Sequence, residues 1–170
     1  MARIPTIERL NELLVYDPET GILRWKIRAG SRGMAGDQTG CIHKPSGYRV
    51  VRIDGITYRE HLLIWLMLHG EWCPRLIDHE DRDRSNNKQL NLRKATESQQ
   101  RQNAAIRSDN TTGHRGVKLH ACGKYNARIW IGGKEKHLGL FVSLEEAAEV
   151  ARAARLEHYG AFAPSYDQLR

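Results

Sequence analysis

The sequence predicts an α+β chain organised as three successive segments, and three observations carry that prediction. Apolar residues recur at helical spacing near the start, at Ile7, Leu10, Leu13 and Leu14. Between Leu76 and Asn103 the order is short apolar strand, long polar loop, short strand and polar helix. From Gly113 onward, three short strands separated by glycine-containing turns precede one well-capped helix. The expected layout is an N-terminal mixed scaffold, a central strand–strand–helix finger, and a C-terminal three-stranded antiparallel sheet plus one helix.

The scaffold covers residues 1–58. Its opening helix is broken by the turn residues Tyr16-Asp17-Pro18-Glu19-Thr20-Gly21, after which Ile22-Leu23-Arg24-Trp25 forms a short strand. The stretch from Gly30 to Gly40 is rich in glycine and reads as flexible. Tyr48–Ile53 and Ile56–Tyr58 flank Asp54-Gly55, a dipeptide suited to the positive φ angles of a tight hairpin. Arg49 and Arg52 on this hairpin are either phosphate contacts or ordinary solvated strand residues.

The finger covers residues 59–103. His61-Leu62-Leu63-Ile64-Trp65-Leu66-Met67-Leu68 is apolar on nearly every side, the mark of a buried helix, and Gly70 ends it. Leu76-Ile77-Asp78-His79 is a short strand that delivers two polar residues at its end. The polar loop from Glu80 to Gln89 leads to a second strand at Asn91-Leu92-Arg93, and Thr96 or Ser98 caps a helix containing Gln99, Gln100 and Asn103. Residues 104–112 are polar and read as a linker. In the last segment, 113–163, strands fall at Arg115–His120, Tyr125–Ile131 and Lys134–Leu140. Ser143 is an N-cap with Glu145 and Glu146 in the first turn, and Ala147, Ala148, Ala151 and Ala154 form a small-residue stripe suited to close packing on a sheet.

Composition narrows the function classes. Lys plus Arg number 27 against 20 Asp plus Glu, a net charge of +7 that favours a polyanionic partner. The three cysteines, Cys41, Cys73 and Cys122, form no CxxC pair, so neither a disulfide framework nor a structural zinc is expected. No apolar run approaches membrane-spanning length, and the first ten residues lack the pattern of a signal peptide. These features lead to the expectation of a cytoplasmic protein with no membrane partner.

Asp78-His79, followed by Asn87, Asn91 and Gln100, is the group of residues best suited to chemistry. Cleaving a phosphodiester needs a base for the attacking water and a cation for the charge that builds on phosphate. A carboxylate beside an imidazole supplies both functions if the backbone aims them into one cleft; the competing reading is a surface pair with only a local hydrogen bond. A calcium loop is a further candidate, because Asp81, Asp83, Ser85 and Asn87 alternate like its early ligands. It fails, since the sixth position is Asn86 rather than Gly and the twelfth is Leu92 rather than Glu.

Asp78-His79-Glu80-Asp81, Asn86-Asn87 and Asn91-Leu92-Arg93, preceded by His61 and Gly70-Glu71-Trp72, resemble the HNH homing endonucleases of phages and group I introns. The similarity covers roughly residues 44–103, and Leu14-Val15-Tyr16-Asp17-Pro18-Glu19-Thr20-Gly21 resembles the N-terminal part of phage members. The resemblance implies a ββα-metal finger in which His79 is the general base, Asp78 a metal ligand and Asn91 a hydrogen-bonding brace. It places Gln100 where the family has an Asn or His as second metal ligand; this is a departure, with the same amide oxygen on a longer stem. It also implies one Mg2+, with Mn2+ substituting, and products bearing 5′-phosphate and 3′-hydroxyl ends.

The last segment carries its own electrostatic argument. From Arg115 to Leu140 the basic residues Arg115, Lys118, Lys124, Arg128, Lys134 and Lys136 are opposed only by Glu135, whereas the helix that follows is mildly acidic. This asymmetry puts DNA on the sheet; an ordinary solvated sheet face is the alternative. Arg115-Gly116-Val117, Gly123-Lys124-Tyr125, Leu138-Gly139-Leu140-Phe141 and Glu145-Glu146-Ala147-Ala148 resemble the AP2 domain of plant transcription factors and phage endonucleases. The resemblance places DNA contacts at Arg115, Gly116, Lys118, His120, Arg128, Trp130, Glu135 and His137, with Lys124 and Lys136 as phosphate contacts. The combined expectation is a metal-dependent endonuclease on double-stranded DNA with no small-molecule substrate. As a monomer or weak homodimer it nicks once per chain, in the host bacterial cytoplasm if of phage origin. The competing expectation is a DNA-binding regulator whose finger has lost catalysis.

Overall fold

Thr6 starts the first helix: its hydroxyl accepts the Arg9 amide at 3.2 Å, satisfying one of the donors that a helix start leaves open. The computed structural model describes residues 4–30, 33–73, 75–104 and 106–163, so positions 31 and 32 of the glycine-rich stretch and 105 of the linker lie outside the described residues. The chain divides into two compact units, Met1–Glu97 and Ser98–Arg170, each with its own apolar core. The secondary structure is mixed α and β, in small antiparallel sheets and four α-helices among the described residues.

In the first unit α1 (Ile7–Leu13) stops where Leu14 turns extended, at φ −127° and ψ 150°, and leads directly into β1 (Leu14–Asp17). β1 pairs antiparallel with β2 (Ile22–Trp25), from Leu14 opposite Trp25 to Asp17 opposite Ile22. Leu14, read from the sequence as part of the helical stripe, is thus a strand residue whose side chain still reaches the same core. A second sheet runs in the order β3 (Cys41–Ile42), β4 (Arg49–Ile53) and β5 (Ile56–Arg59). The β4–β5 turn places Asp54 at φ 47° and Gly55 at φ 85°, the paired positive angles of a tight hairpin. α2 (Glu60–His69) follows and ends on Gly70 at φ 70°; its residues from Leu62 to Leu66 are all buried. Leu10, Leu14, Leu23, Leu63 and Ile64 are fully buried in the core, each worth about 1.5–3 kcal/mol of transfer free energy.

The finger is built from β6 (Ile77–His79) and β7 (Leu92–Lys94), paired with Asp78 opposite Arg93 and His79 opposite Leu92, followed by α3 (Glu97–Asn103). Ile77 and Leu92 join the core cluster that includes α2, which anchors the strand carrying Asp78 and His79. Glu60, at the start of α2, is fully buried. It accepts the Thr39 hydroxyl at 2.8 Å and Arg49 Nε at 3.0 Å, while Arg49 also donates to the Thr39 carbonyl at 2.6 Å. Burial pushes the Glu60 carboxyl up, and its two partners oppose that shift. Arg49, a candidate phosphate contact in the sequence, is therefore committed to fastening β4 to α2.

The second unit orders its sheet as β10 (Lys134–Phe141), β9 (Tyr125–Ile131) and β8 (Val117–Leu119). α4 (Leu144–Tyr159) begins at Ser143, whose hydroxyl accepts the Glu145 and Glu146 amides at 3.1 and 3.4 Å. Ala147, Ala148 and Ala151 bury against Val117 and Ala127, small side chains that let the helix axis approach the sheet closely. Among the described residues no helix is long and apolar enough to cross a membrane.

Candidate functional site

Alternation along β6 buries Ile77 and His79 and leaves Asp78 only partly covered. His79 is 3% exposed, and its Nε2 lies 3.0 Å from the side-chain oxygen of Asn87, itself 1% exposed. An amide oxygen has no proton to give, so Nε2 carries the hydrogen and donates, and the lone pair of the neutral ring sits on Nδ1. Burial pushes the imidazole pKa below its ordinary value; the Asn87 bond and the charges of Asp81, Asp78 and Asp83 oppose the shift. His61 meets the His79 ring edge-on at 5.0 Å between centroids, and Tyr48 lies 4.9 Å from His61. Burial first, then repulsion from His79 once it is protonated and from Arg59, push His61 down to about 3. Both rings are neutral at neutral pH, and only His79 stands beside a carboxylate.

The loop between the strands is tied from within by Asn91. Its amide donates to Asp81 Oδ1 at 2.9 Å and to the Asn86 carbonyl at 2.7 Å, and its oxygen accepts the Asp81 amide at 3.0 Å. Asp81 Oδ1 accepts the Asp83 amide at 2.8 Å, and Asp83 Oδ1 accepts the Ser85 amide and hydroxyl at 2.9 and 2.7 Å. These local turns account for the alternation that imitates a calcium loop. Outside the loop, the β1–β2 turn clamps the backbone around Asn87. Tyr16 donates to the Asn87 carbonyl at 2.8 Å, and the Gln89 amide to the Pro18 carbonyl at 3.3 Å. Gly21, at φ +73°, is so close that a Cβ there would lie 2.4 Å from the Lys88 nitrogen. Asp17 holds that turn, accepting the Thr20 hydroxyl at 2.6 Å.

Asp78 faces Arg93 across the strand pair at 3.3 Å, and Arg93 also reaches Glu80 at 3.4 Å. The fold thus brings Asp78, His79, Asn87 and Asn91 together within the first unit. Gln100 lies half-buried on α3, beyond the division at Glu97. Sequence reasoning placed Asn87 in the motif without giving it a role. Nothing local separates it from Asn86; what distinguishes it is burial, which depends on the distant β1–β2 turn.

In the second unit, cross-strand partners define one open face of the sheet. Lys118 opposes Asn126, Arg128 opposes His137, and Trp130 opposes Glu135. Trp130 is 56% exposed there, Arg128 pairs with Glu135 at 2.7 Å, and His137 Nδ1 meets Asn126 at 2.8 Å. Lys136 opposes the buried Ile129, so the register sets it on the other face, toward α4. His120 and Lys124 sit in the β8–β9 turn, where His120 Nδ1 lies 2.9 Å from the Cys122 sulfur. Arg115 precedes β8 and donates to the Gln102 carbonyl at 2.5 Å. Gly116, at φ +79°, has a backbone reason to be glycine, since a Cβ would lie 2.5 Å from the Arg128 carbonyl oxygen. A groove of about 970 Å³ runs beside this face, lined by Arg107, Arg115, Lys118, Arg128 and Trp130, with Arg101 of α3. Arg101 and Arg107 were not singled out from the sequence, because only the fold carries α3 and the linker alongside the sheet.

A two-stranded finger that buries a neutral histidine beside an aspartate, with an asparagine-tied loop, is an arrangement suited to hydrolysing phosphodiesters. Residues 58–102 match the family model described as HNH endonuclease. That match supports an HNH nuclease, an enzyme that cleaves DNA. No curated protein and no solved structure matches the chain.

Proposed function

We propose that the chain is a metal-dependent endonuclease of the homing type that nicks double-stranded DNA, with the C-terminal sheet as an AP2-like module that docks it. The observation that carries this reading is the buried hydrogen bond from His79 Nε2 to Asn87, 3.0 Å long, inside the segment that matches the HNH family. By fixing the ring as the Nε2–H tautomer, Asn87 turns Nδ1 into the basic nitrogen. His79 takes the proton of the attacking water there, and desolvation keeps the imidazole neutral and ready at neutral pH. Asn91 keeps the loop in register while the substrate changes shape.

A hard divalent cation such as Mg2+, with Mn2+ as substitute, suits the carboxylate oxygens that Asp78 offers; the resemblance to the family assigns the second ligand to Gln100. Such an ion retains waters and accepts phosphate oxygens. When bound it supplies charge stabilisation for the phosphate and the departing 3′-oxygen. The products then carry 5′-phosphate and 3′-hydroxyl ends, and a monomer cuts one strand at a time. The open sheet face with Lys118, Arg128 and Trp130 engages duplex DNA, and Lys124 in the adjoining turn adds a phosphate contact.

One observation favours a second reading, a DNA-binding regulator without cleavage: the Asp78 carboxylate is held by Arg93 at 3.3 Å. Incubating the protein with supercoiled plasmid in Mg2+, in Mn2+ and in EDTA separates the two. The nuclease converts plasmid to open circles only with metal, whereas the regulator shifts DNA on a gel and leaves it intact under every condition.

A further inference from the structure

Beside the histidine pair, one aromatic ring gathers two cations. Arg59 Cζ lies 4.5 Å and Arg84 Cζ 5.0 Å from the centroid of Tyr48. The same ring is 4.9 Å from His61 and 5.8 Å from His79. The three residues come from separate places: Tyr48 directly precedes β4, Arg59 ends β5, and Arg84 belongs to the finger loop. The Arg84 side chain passes over Gly47, whose missing Cβ would lie 3.7 Å from Arg84 Cδ, and Arg84 Nη1 donates to the Ser46 carbonyl at 2.8 Å.

Three other arginines of this unit pair with carboxylates, while Arg24, Arg28 and Arg52 donate to backbone carbonyls. Arg9 pairs with Asp54 and Glu12, Arg49 with Glu60, and Arg93 with Asp78 and Glu80. Among the described residues no ion pair involves Arg59 or Arg84, although both stand over one ring that adjoins the two histidines. The two guanidinium carbons lie 4.5 and 5.0 Å from one ring centre, and an anion drawn to both offsets the repulsion between like charges. The Tyr48 ring attracts each cation, and the planar fork of N–H donors on a guanidinium matches phosphate oxygens.

We propose that Arg59 and Arg84, oriented by Tyr48, form a phosphodiester-binding site that seats a backbone phosphate of DNA beside His79. The identity of the anion as a nucleic-acid phosphate rests on the nuclease reading; the anion site itself rests on the geometry. Arg59 and Arg84 touch the substrate, and Tyr48 is a positioning residue. The site holds the phosphate weakly in the ground state and more tightly as charge grows on its oxygens during attack.

Two measurements test this. In EDTA, dimethyl phosphate is titrated into the protein while arginine Nε–H signals are followed by NMR. The Arg59 and Arg84 signals, assigned by their loss in Arg59→Gln and Arg84→Gln, shift saturably, whereas the Arg52 signal does not. An absence of saturable shift, or an equal shift at Arg52, overturns the proposal. In single-turnover nicking, each glutamine variant cuts about 10–100-fold more slowly, while plasmid affinity in EDTA stays within about threefold. Tyr48→Phe retains the parent rate and Tyr48→Leu loses it. Parent-like rates in both glutamine variants, or affinity falling in step with rate, refute the placement beside His79. Should the parent protein not nick at all, the nuclease reading falls, and the dimethyl phosphate titration still decides the anion site.

Discussion

Replacing Gly21 by alanine tests how the distant β1–β2 turn governs the finger. Gly21 sits at φ +73°, where a side chain costs about 1–2 kcal/mol. The new Cβ would also lie 2.4 Å from Lys88 N and 2.7 Å from Asn87 C, backbone atoms that cannot swing aside. Forcing them apart adds about 1–3 kcal/mol, and the stiffer unfolded chain returns about 0.4–1 kcal/mol. The net loss is roughly 2–4 kcal/mol out of the about 5–15 kcal/mol that hold a domain of this kind together. Gly55→Ala is the control: φ is +85° there, and nothing lies within 4 Å of the added carbon, so it carries the backbone cost alone. Urea titration followed by tryptophan fluorescence in a Trp130→Phe background reads the first unit, which holds Trp25, Trp65 and Trp72. Gly21→Ala should lose at least about 1 kcal/mol more than Gly55→Ala and should also slow nicking, because Asn87 moves. Equal losses in the two variants would refute the close-approach argument.

Three further outcomes follow from the same geometry. His61 has a folded-state pKa of about 3 against an ordinary 6.5, so only the unfolded chain takes up its proton as pH falls between those values. Stability is therefore complete above pH 6.5 and declines below it, by about 2 kcal/mol at pH 5 at about 1.36 kcal/mol per unit; His61→Phe removes that part of the slope in urea titrations at each pH. Because burial lowers the His79 pKa, the nicking rate should rise with pH and reach half its plateau below pH 6.5, and a midpoint above that value contradicts the desolvated base. On the sheet, Lys118→Gln should reduce the slope of log affinity against log salt by about one, while Lys136→Gln on the opposite face changes it by less than about 0.3.

Much of this was legible in the sequence, for identifiable reasons. Period and punctuation located α2 with its Gly70 cap, the Asp54-Gly55 hairpin, the finger strands and the Ser143-capped helix, because each depends on neighbouring residues. Asp78 and His79 stood out as adjacent polar residues ending an apolar strand. The rest depended on long-range packing. Leu14 keeps its place in the core but leaves the helix, because a strand partner eleven residues away wins over helical spacing. The separate standing of Asn87 and Asn86, and the commitment of Arg49 to buried Glu60, come from contacts with Tyr16, Gly21 and Thr39 that no local pattern encodes. Strand register separated Lys136 from Arg128 and Trp130, since a shift of one residue moves a side chain to the opposite face.

The most direct test of the central claim is His79→Ala, with duplex cleavage and duplex binding measured on the same preparation. Metal-dependent nicking should fall by at least about 100-fold, the contribution of a positioned base, while DNA affinity should stay within about twofold, since the residues proposed to dock DNA belong to the second unit. Nicking at the parent rate in the variant would contradict a role for His79 as the base.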